Sequence, residues 1–225
     1  LPDGERYAVD VAAKNWTPPV GPALLFDELS IKGVATTVAA DLPSVQARLY
    51  GGTVTGSASG KWQKGVQLNG NFDVRQLELE RLVPRLSPGS RMSGSLNAKP
   101  VLRASATDAG KLAEALHLET PFNVDKGVLH GVDIAKAANV LLKEGSKGGE
   151  TRFDTMTGHL VIDQGNYRFS SLRIVSGALS AEGVVNISAR KELSGRINAT
   201  VKAASIASAT VPLNVFYSPA YVVEG

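Results

Sequence analysis

Polar and apolar residues alternate along much of the chain with the period of two that is typical of β-strands. The longest such run covers residues 151–201, where glycines divide it into short segments. Gly51-Gly52 lies between two of the shorter runs and predicts a hairpin. We therefore expect a meander of short antiparallel strands. The shorter runs occupy residues 7–13, 25–31, 45–50 and 53–59.

Three segments instead carry apolar residues at the spacing of one helix face. The first is predicted to begin at Asp73, with Gln76 three residues later as in a capping box, and to end or kink at Pro84. The others cover residues 108–118 and 134–143. The predicted fold is mainly β, a β-rich α+β architecture: an elongated, curled antiparallel meander sheet with about three short amphipathic helices packed against it.

The 225 residues are interpreted as a single domain, because β-architectures of this length commonly form one core. Within it we distinguish a first β section in residues 1–105 and a helical interlude in residues 106–147. A β meander follows in residues 148–203, and residues 204–225 form a tail without strict alternation.

Alternation also predicts which residues of the meander share a face. The parity of the apolar residues changes at Ser170-Ser171, which predicts a β-bulge there. Because only short helices are available to cover the sheet, part of an apolar face is left for a ligand, a partner or another segment. The alternative is that the helices cap the sheet completely. The candidate residues of this face are Leu160, Ile162, Leu179, Val185, Ile187, Ile197 and Val201.

Charge does not indicate nucleic acid as a partner. The formal net charge is +3, but the basic residues are scattered and interleaved with acids rather than gathered in a stripe. No run approaches the roughly 18 apolar residues of a membrane span, and no signal peptide opens the chain. The chain is interpreted as an excised soluble part of a longer protein, with any targeting or anchoring segment outside it.

The residue types needed for catalysis are missing or badly placed. There is no cysteine, and the three histidines, His117, His130 and His159, are too far apart for a local metal motif. The glycines of residues 56–60 resemble a nucleophile elbow, but Ala58 stands where the serine would be. We therefore predict no catalytic residue, no metal and no cofactor, and a protein that is not an enzyme.

Five segments, in order and spacing, resemble the C-terminal region of the AsmA-like family of bacterial envelope proteins. The similarity extends over about residues 50–215. The segments are Leu-Tyr-Gly-Gly-Thr-Val-Thr-Gly at residues 49–56, residues 65–74, Gly-Val-Leu-His-Gly-Val-Asp-Ile at residues 127–134, Thr-Arg-Phe-Asp at residues 151–154, and residues 182–187.

This resemblance implies a non-enzymatic periplasmic module, tethered to the inner membrane through a segment absent from this chain, with a role in outer-membrane biogenesis or lipid homeostasis. The broader clan resembles bridge-type lipid-transfer proteins, whose curled sheets offer an apolar groove to acyl chains. The expected partners are lipid, the inner-membrane anchor and envelope proteins. The alternative is a structural or scaffolding module that contacts outer-membrane assembly partners without lipid, its apolar face covered by helices around Leu82, Leu116 and Leu141.

Overall fold

A computed structural model of the chain describes residues 5–18, 23–135, 149–177, 179–203 and 206–217, with side chains as far as residue 200. Thirteen strands form one sheet. The strands are β1 (Tyr7–Trp16), β2 (Phe26–Ala35), β3 (Ala39–Leu49), β4 (Gly52–Lys61), β5 (Val66–Glu78), β6 (Met92–Ala98), β7 (Val101–Ala106), β8 (Leu116–His130), β9 (Glu150–Asp163), β10 (Asn166–Val175), β11 (Leu179–Ile187), β12 (Leu193–Ala203) and β13 (Ile206–Tyr217).

The sheet is an antiparallel meander in which neighbours in sequence are neighbours in space, as the alternation predicts. Strands β6 and β7 together fill one position, because both pair with β5 and β8 on either side of a break at Lys99-Pro100. Backbone bonds bridge the break: Lys99 N–H donates to the Pro121 carbonyl (3.3 Å) and Phe72 N–H to the Pro100 carbonyl (2.9 Å). Strands β1 and β13 stand at the two ends of the order.

The hairpin predicted at Gly51-Gly52 is confirmed, with its turn one residue earlier. Tyr50 and Gly51 both have positive φ angles (47° and 76°), and Gly52 already pairs with Leu49. Two consecutive residues with positive φ give the turn the twist that suits a two-residue hairpin.

The helix predicted from Asp73 begins later than expected. Strand β5 continues to Glu78, and α1 spans Leu79–Leu86 with Pro84 inside it. Asp73 does not cap a helix, because its carboxylate accepts hydrogen bonds from Arg75 (3.0 and 3.2 Å), two residues along the same strand. The capping-box pattern was therefore misleading.

The prediction of a helix over residues 108–118 is wrong. Only a 3-10 turn forms, at Ala109–Lys111, and β8 begins at Leu116. From Leu116 the chain alternates in step with the partner strands β7 and β9, and this cross-strand pairing prevails over the short helical pattern. Leu116, expected in this helix, is a strand residue.

The helix predicted over residues 134–143 lies mostly outside the described residues. Ile134 and Ala135 are helical, and Ile134 is buried. The Ile134 N–H donates to Thr151 Oγ1 (2.9 Å), which itself donates to the Val132 carbonyl (2.8 Å). Residues 136–148, including Leu141, are not described.

Two of the sections distinguished in the sequence therefore contain unpredicted strands. The described part contains one α-helix, not about three, because the interlude predicted as helical, residues 106–147, includes the whole of β8. The predicted tail, residues 204–225, includes β13, which pairs with β12.

Among the described residues, none of the helical segments has the length and apolar character needed to cross a lipid bilayer.

One cluster of buried side chains runs across the sheet from β3 to β12. Leu79 and Leu82 of α1, together with Ile134, belong to this cluster, and α1 lies beside β5 and β6. The helix thus lies against the apolar side of the sheet.

Close packing at Gly127 gives a test of the fold. A Cβ atom at this position would overlap the Phe153 ring and approach the Ser93 carbonyl oxygen to 2.5 Å, whereas at Gly60 the nearest heavy atom is 3.6 Å away. We expect Gly127→Ala to lower the free energy of unfolding by about 2 kcal/mol through overpacking. Gly60→Ala, the matched control, should change it by about 0.5 kcal/mol or less, or raise it. Urea unfolding measures both; equal effects would contradict the packing described at Gly127.

Candidate functional site

Strand register separates the sheet into an apolar face and a polar face, since residues directly opposite each other on paired strands share a face. On the consecutive strands from β8 to β11, one line of directly opposed residues consists of Leu118, Ile162, Tyr167 and Ile187. The line continues in both directions without a polar residue. We call it the open row: Leu42, Ala58, Gly70, Leu102, Leu118, Ile162, Tyr167, Ile187 and Leu193.

A second line on the same face, nearer α1, is the core row. Its residues come from β5 to β12 and are buried except for Leu96, which is half-buried. In the open row, by contrast, Tyr167 is 38% exposed and most other members are half-buried. One part of the apolar face is therefore covered and the other remains accessible. The core row consists of Leu77, Leu96, Val124, Met156, Ile174, Ala181 and Ala199.

The register brings the predicted face residues together. Leu160 lies opposite Phe169, and Phe169 lies opposite Val185, in the line next to the open row, which itself contains Ile162 and Ile187. These four predicted residues are half-buried.

The three remaining predicted residues lie toward the covered part. Leu179 and Ile197 are only 5% and 8% exposed and belong to the core cluster, so they are packed against protein. The backbone of Val201 pairs with Leu179, and its side chain is outside the described ones. A role in lipid binding stays a prediction for all seven residues.

The β-bulge predicted at Ser170-Ser171 is confirmed. The register of β10 shifts between Phe169 and Leu172 against β11 and between Ser170 and Arg173 against β9, and Ser171 has a φ of 50°. The extra residue places Phe169 and Leu172 on the same face despite their odd spacing. Without it, the apolar residues on one side of the bulge would point to the polar face.

An aromatic pair that the sequence did not predict lies in the middle of the apolar face. The rings of Phe122 and Phe169 meet edge to face with centroids 6.1 Å apart. The Phe122 ring also lies over Gly158, where a Cβ would come within 2.8 Å of the ring. The available signal was the glycine in an otherwise regular strand, which often marks a close approach. Reading residues 108–118 as a helix hid the alternation that leads to Phe122.

The polar face carries charged residues that pair across strands. Glu28 lies 3.8 Å from Lys14 and 3.7 Å from Arg48, and Arg173 lies 3.5 Å from Glu182. Exposed pairs of this kind add little stability. Their consequence is that one side of the sheet is hydrated while the other is apolar.

His117 joins two carboxylates on the polar face. Its Nε2 is 2.9 Å from Glu119 Oε1 and its Nδ1 is 3.2 Å from Asp163 Oδ1. Hydrogen bonds to Glu119 first, and to Asp163 second, raise the pKa of His117. The bond from His117 also lowers the pKa of Glu119. Protonated His117 therefore makes two charge-assisted bonds, and the one to Asp163 connects β8 to β9.

The described residues contain no group of His, Cys, Asp and Glu placed to hold a metal ion. Every buried side-chain nitrogen and oxygen within this part of the chain has a hydrogen-bond partner. Thr120, the polar residue beside Leu160 on the apolar face, donates to the Pro121 carbonyl (2.8 Å) and accepts from Lys99 N–H (3.1 Å). What the site offers a ligand is apolar contact.

Comparison with known proteins identifies one family. The sequence model of the AsmA family matches residues 10–172, which is more than half of the chain. Neither the curated proteins nor the solved structures contain a match.

The His117 cluster predicts how stability depends on pH. A raised histidine pKa contributes stability that is complete below the unfolded pKa near 6.5 and is lost as pH rises through the folded pKa. The lowered pKa of Glu119 contributes stability above its usual value, and this is lost as pH falls through the folded pKa. The cluster is therefore most stabilising between the ordinary pKa values of Glu119 and His117, which are about 4.5 and 6.5. His117→Gln should lower the urea midpoint at about pH 5.5 and have less effect at about pH 8.5.

Removing the carboxylate partners is the control for this prediction. Glu119→Gln combined with Asp163→Asn should lower the urea midpoint at about pH 5.5 as His117→Gln does, and adding His117→Gln to it should have little further effect. Additive effects, or an equal loss at both pH values, would contradict a role for the charged imidazole.

Proposed function

The chain belongs to the AsmA family, and from this premise we propose that it is a non-enzymatic periplasmic module that shields lipid acyl chains on its apolar face. Membership is consistent with a role in envelope biogenesis and with a periplasmic location. We further propose that it acts in outer-membrane biogenesis or lipid homeostasis and is tethered to the inner membrane through a segment outside these 225 residues.

The observation that carries the proposal is the open row. Nine residues on nine strand positions are all apolar, and none of their side chains is charged or bears an amide. Eight intervals of about 4.8 Å give the row a length of about 38 Å. An acyl chain reaches about 15 Å across one leaflet of a bilayer. The row is long enough for a chain to lie along it, across the strands, with room beyond its end.

Energetics favour reversible binding on such a surface. Burial of a methylene is worth about 0.8 kcal/mol, so full burial of about 14 methylenes would contribute about 11 kcal/mol. A chain lying on an open face buries roughly one side, which leaves about 5 kcal/mol before entropic costs. Binding of this strength holds lipid and also allows its release, which suits transfer better than storage.

The scaffolding alternative makes a different use of the same face. Leu179 and Ile197 are already packed against protein, and the alternative extends this covering to the open row through an envelope partner. It predicts that purified protein carries no lipid. The half-buried open row supports the lipid proposal, because Ile162 and Ile187 are less covered by the described residues than Leu179 and Ile197 are.

Adjacent valines of β11 allow a matched test. Val185 lies on the apolar face opposite Phe169, whereas Val184 lies opposite Arg196 on the polar face. Val185→Asp should lower the affinity for a soluble fluorescent fatty acid by about tenfold, because a carboxylate is costly to bury beside an acyl chain. Val184→Asp, which places a carboxylate near Arg196, should leave it unchanged.

Native mass spectrometry of protein purified from a bacterial envelope gives the second readout, with Ile187→Asp as a further variant. We expect co-purified lipid in the wild type and Val184→Asp and a loss in Val185→Asp and Ile187→Asp. Circular dichroism and the urea midpoint check that each variant is folded. Undiminished lipid in folded Val185→Asp would refute the proposal, and absence of lipid from wild type in both assays would favour the scaffolding alternative.

A further inference from the structure

The strand ends beside the open row form an edge that we call the open rim. It consists of the β4–β5 turn (residues 62–65), the β9–β10 turn (residues 164–165) and the β11–β12 turn (residues 188–192). The opposite strand ends, which carry α1 and the end of β1 at Trp16, form the covered rim. The two rims differ in what lies behind them: the open row at one and the buried core row at the other.

An aromatic group marks the β4–β5 part of the open rim. Trp62 is 42% exposed, and its Nε1–H donates to the Thr37 carbonyl (2.7 Å), which fixes the indole. The ring lies 3.6 Å from the position of a Cβ at Gly60, on the apolar side of β4, and the same position is 3.6 Å from Leu68. Leu68 is 37% exposed. The indole is thus held at the boundary between the apolar face and water.

A second aromatic group lies near the β11–β12 turn. Tyr167 is the most exposed member of the open row and follows the β9–β10 turn directly. That turn packs on the β11–β12 turn, because Ala189 N–H donates to Asn166 Oδ1 (3.1 Å). Tyr167 and the basic residues Arg190 and Lys191 therefore lie at the same part of the open rim.

Charge at this rim is unbalanced. Lys61, Lys64, Arg190 and Lys191 are exposed, and none of the four forms an ion pair with a carboxylate in the described part of the chain. Among the nearby acids, Asp108 pairs with Lys111 and Asp163 with His117. Glu192 accepts a hydrogen bond from Ser188 and keeps its charge, which leaves the four basic residues against this one carboxylate at the two turns. The charge that remains available to a partner at the two turns is positive.

We propose that the open rim docks on the surface of an anionic lipid bilayer. Tryptophan and tyrosine favour the interface between headgroups and acyl chains, and unpaired lysine and arginine are attracted to anionic headgroups. Together they describe an interfacial edge, with the apolar open row directly behind it. The inference rests on the proposed function in one respect, that the docked bilayer is the source or destination of the acyl chains.

Charge reversal tests the docking. The probes are vesicles of phosphatidylcholine with phosphatidylglycerol, about three to one, and vesicles of phosphatidylcholine alone. We expect sedimentation with the anionic vesicles, weakened by salt, and much less with the neutral ones. Each basic residue near an anionic surface contributes about fivefold in affinity, so Lys61→Glu with Lys64→Glu, and likewise Arg190→Glu with Lys191→Glu, should weaken binding by at least about tenfold.

The covered rim supplies the matched control. Arg85 and Arg91 are exposed there, and Arg85→Glu with Arg91→Glu makes the same change in charge. This pair should weaken binding by less than about twofold, apart from the general effect of net charge. Failure of wild type to bind anionic vesicles, equal binding to neutral vesicles, or equal weakening by the control pair would each overturn the proposal.

The two tryptophans report on the two rims separately. Trp16, at the covered rim, is 40% exposed, nearly the same as Trp62. In Trp16→Phe, which retains Trp62, anionic vesicles should shift the emission to shorter wavelength. In Trp62→Phe, which retains Trp16, they should not. A shift from Trp16 with none from Trp62 would place the bilayer at the wrong edge and overturn the proposal.

Failure of docking is distinguishable from failure of the proposed function. Binding of the soluble fatty acid requires no bilayer, so the Lys61 and Lys64 variant should bind it as wild type does. Val185→Asp should lose the fatty acid and still sediment with anionic vesicles. If the fatty acid binds and vesicles do not, the lipid-shielding proposal stands without the docking.

Discussion

Register across the sheet is the constraint on which the structure depends. Side chains on a strand alternate between faces, so a slip of one residue in any strand would exchange its apolar and polar sets. The bulge at Ser170-Ser171 shows how strictly this is kept: it restores the parity that the sequence of β10 would otherwise break. The apolar continuity of the open row and the hydrated ion pairs of the polar face are both products of that register.

The role of each part of the apolar face depends on whether other residues of the protein cover it. Leu79 and Leu82 of α1 and Ile134 join the core row, and the stability of the sheet arises there. Toward the open rim the same alternation continues without such a cover, and residues such as Ile162 and Tyr167 remain accessible. Core and candidate binding surface are therefore parts of one continuous face rather than separate structures.

The sequence predicted the strands well and the helices poorly. Alternation located the antiparallel meander, the hairpin near Gly51 and the bulge in β10, because each is a local consequence of period two. The helix predicted from Asp73 and the one over residues 108–118 were inferred from few apolar residues. Pairing with neighbouring strands delays the start of the first to Leu79 and excludes the second. The burial of individual residues could not be predicted either, because no local sequence pattern distinguishes Leu179, in the core, from Ile187, in the open row.

The meander connects each strand mainly to its immediate neighbours, so the sheet is close to a one-dimensional array. Folding of such an array proceeds through short loops, with a small entropic cost for each added hairpin. The length of the sheet across its strands is then set by the number of hairpins. Inserting one hairpin would extend the open row by about 10 Å and leave the existing contacts elsewhere unchanged. A protein of this design can adjust its reach to a distance, such as the gap between two surfaces, by repetition instead of redesign.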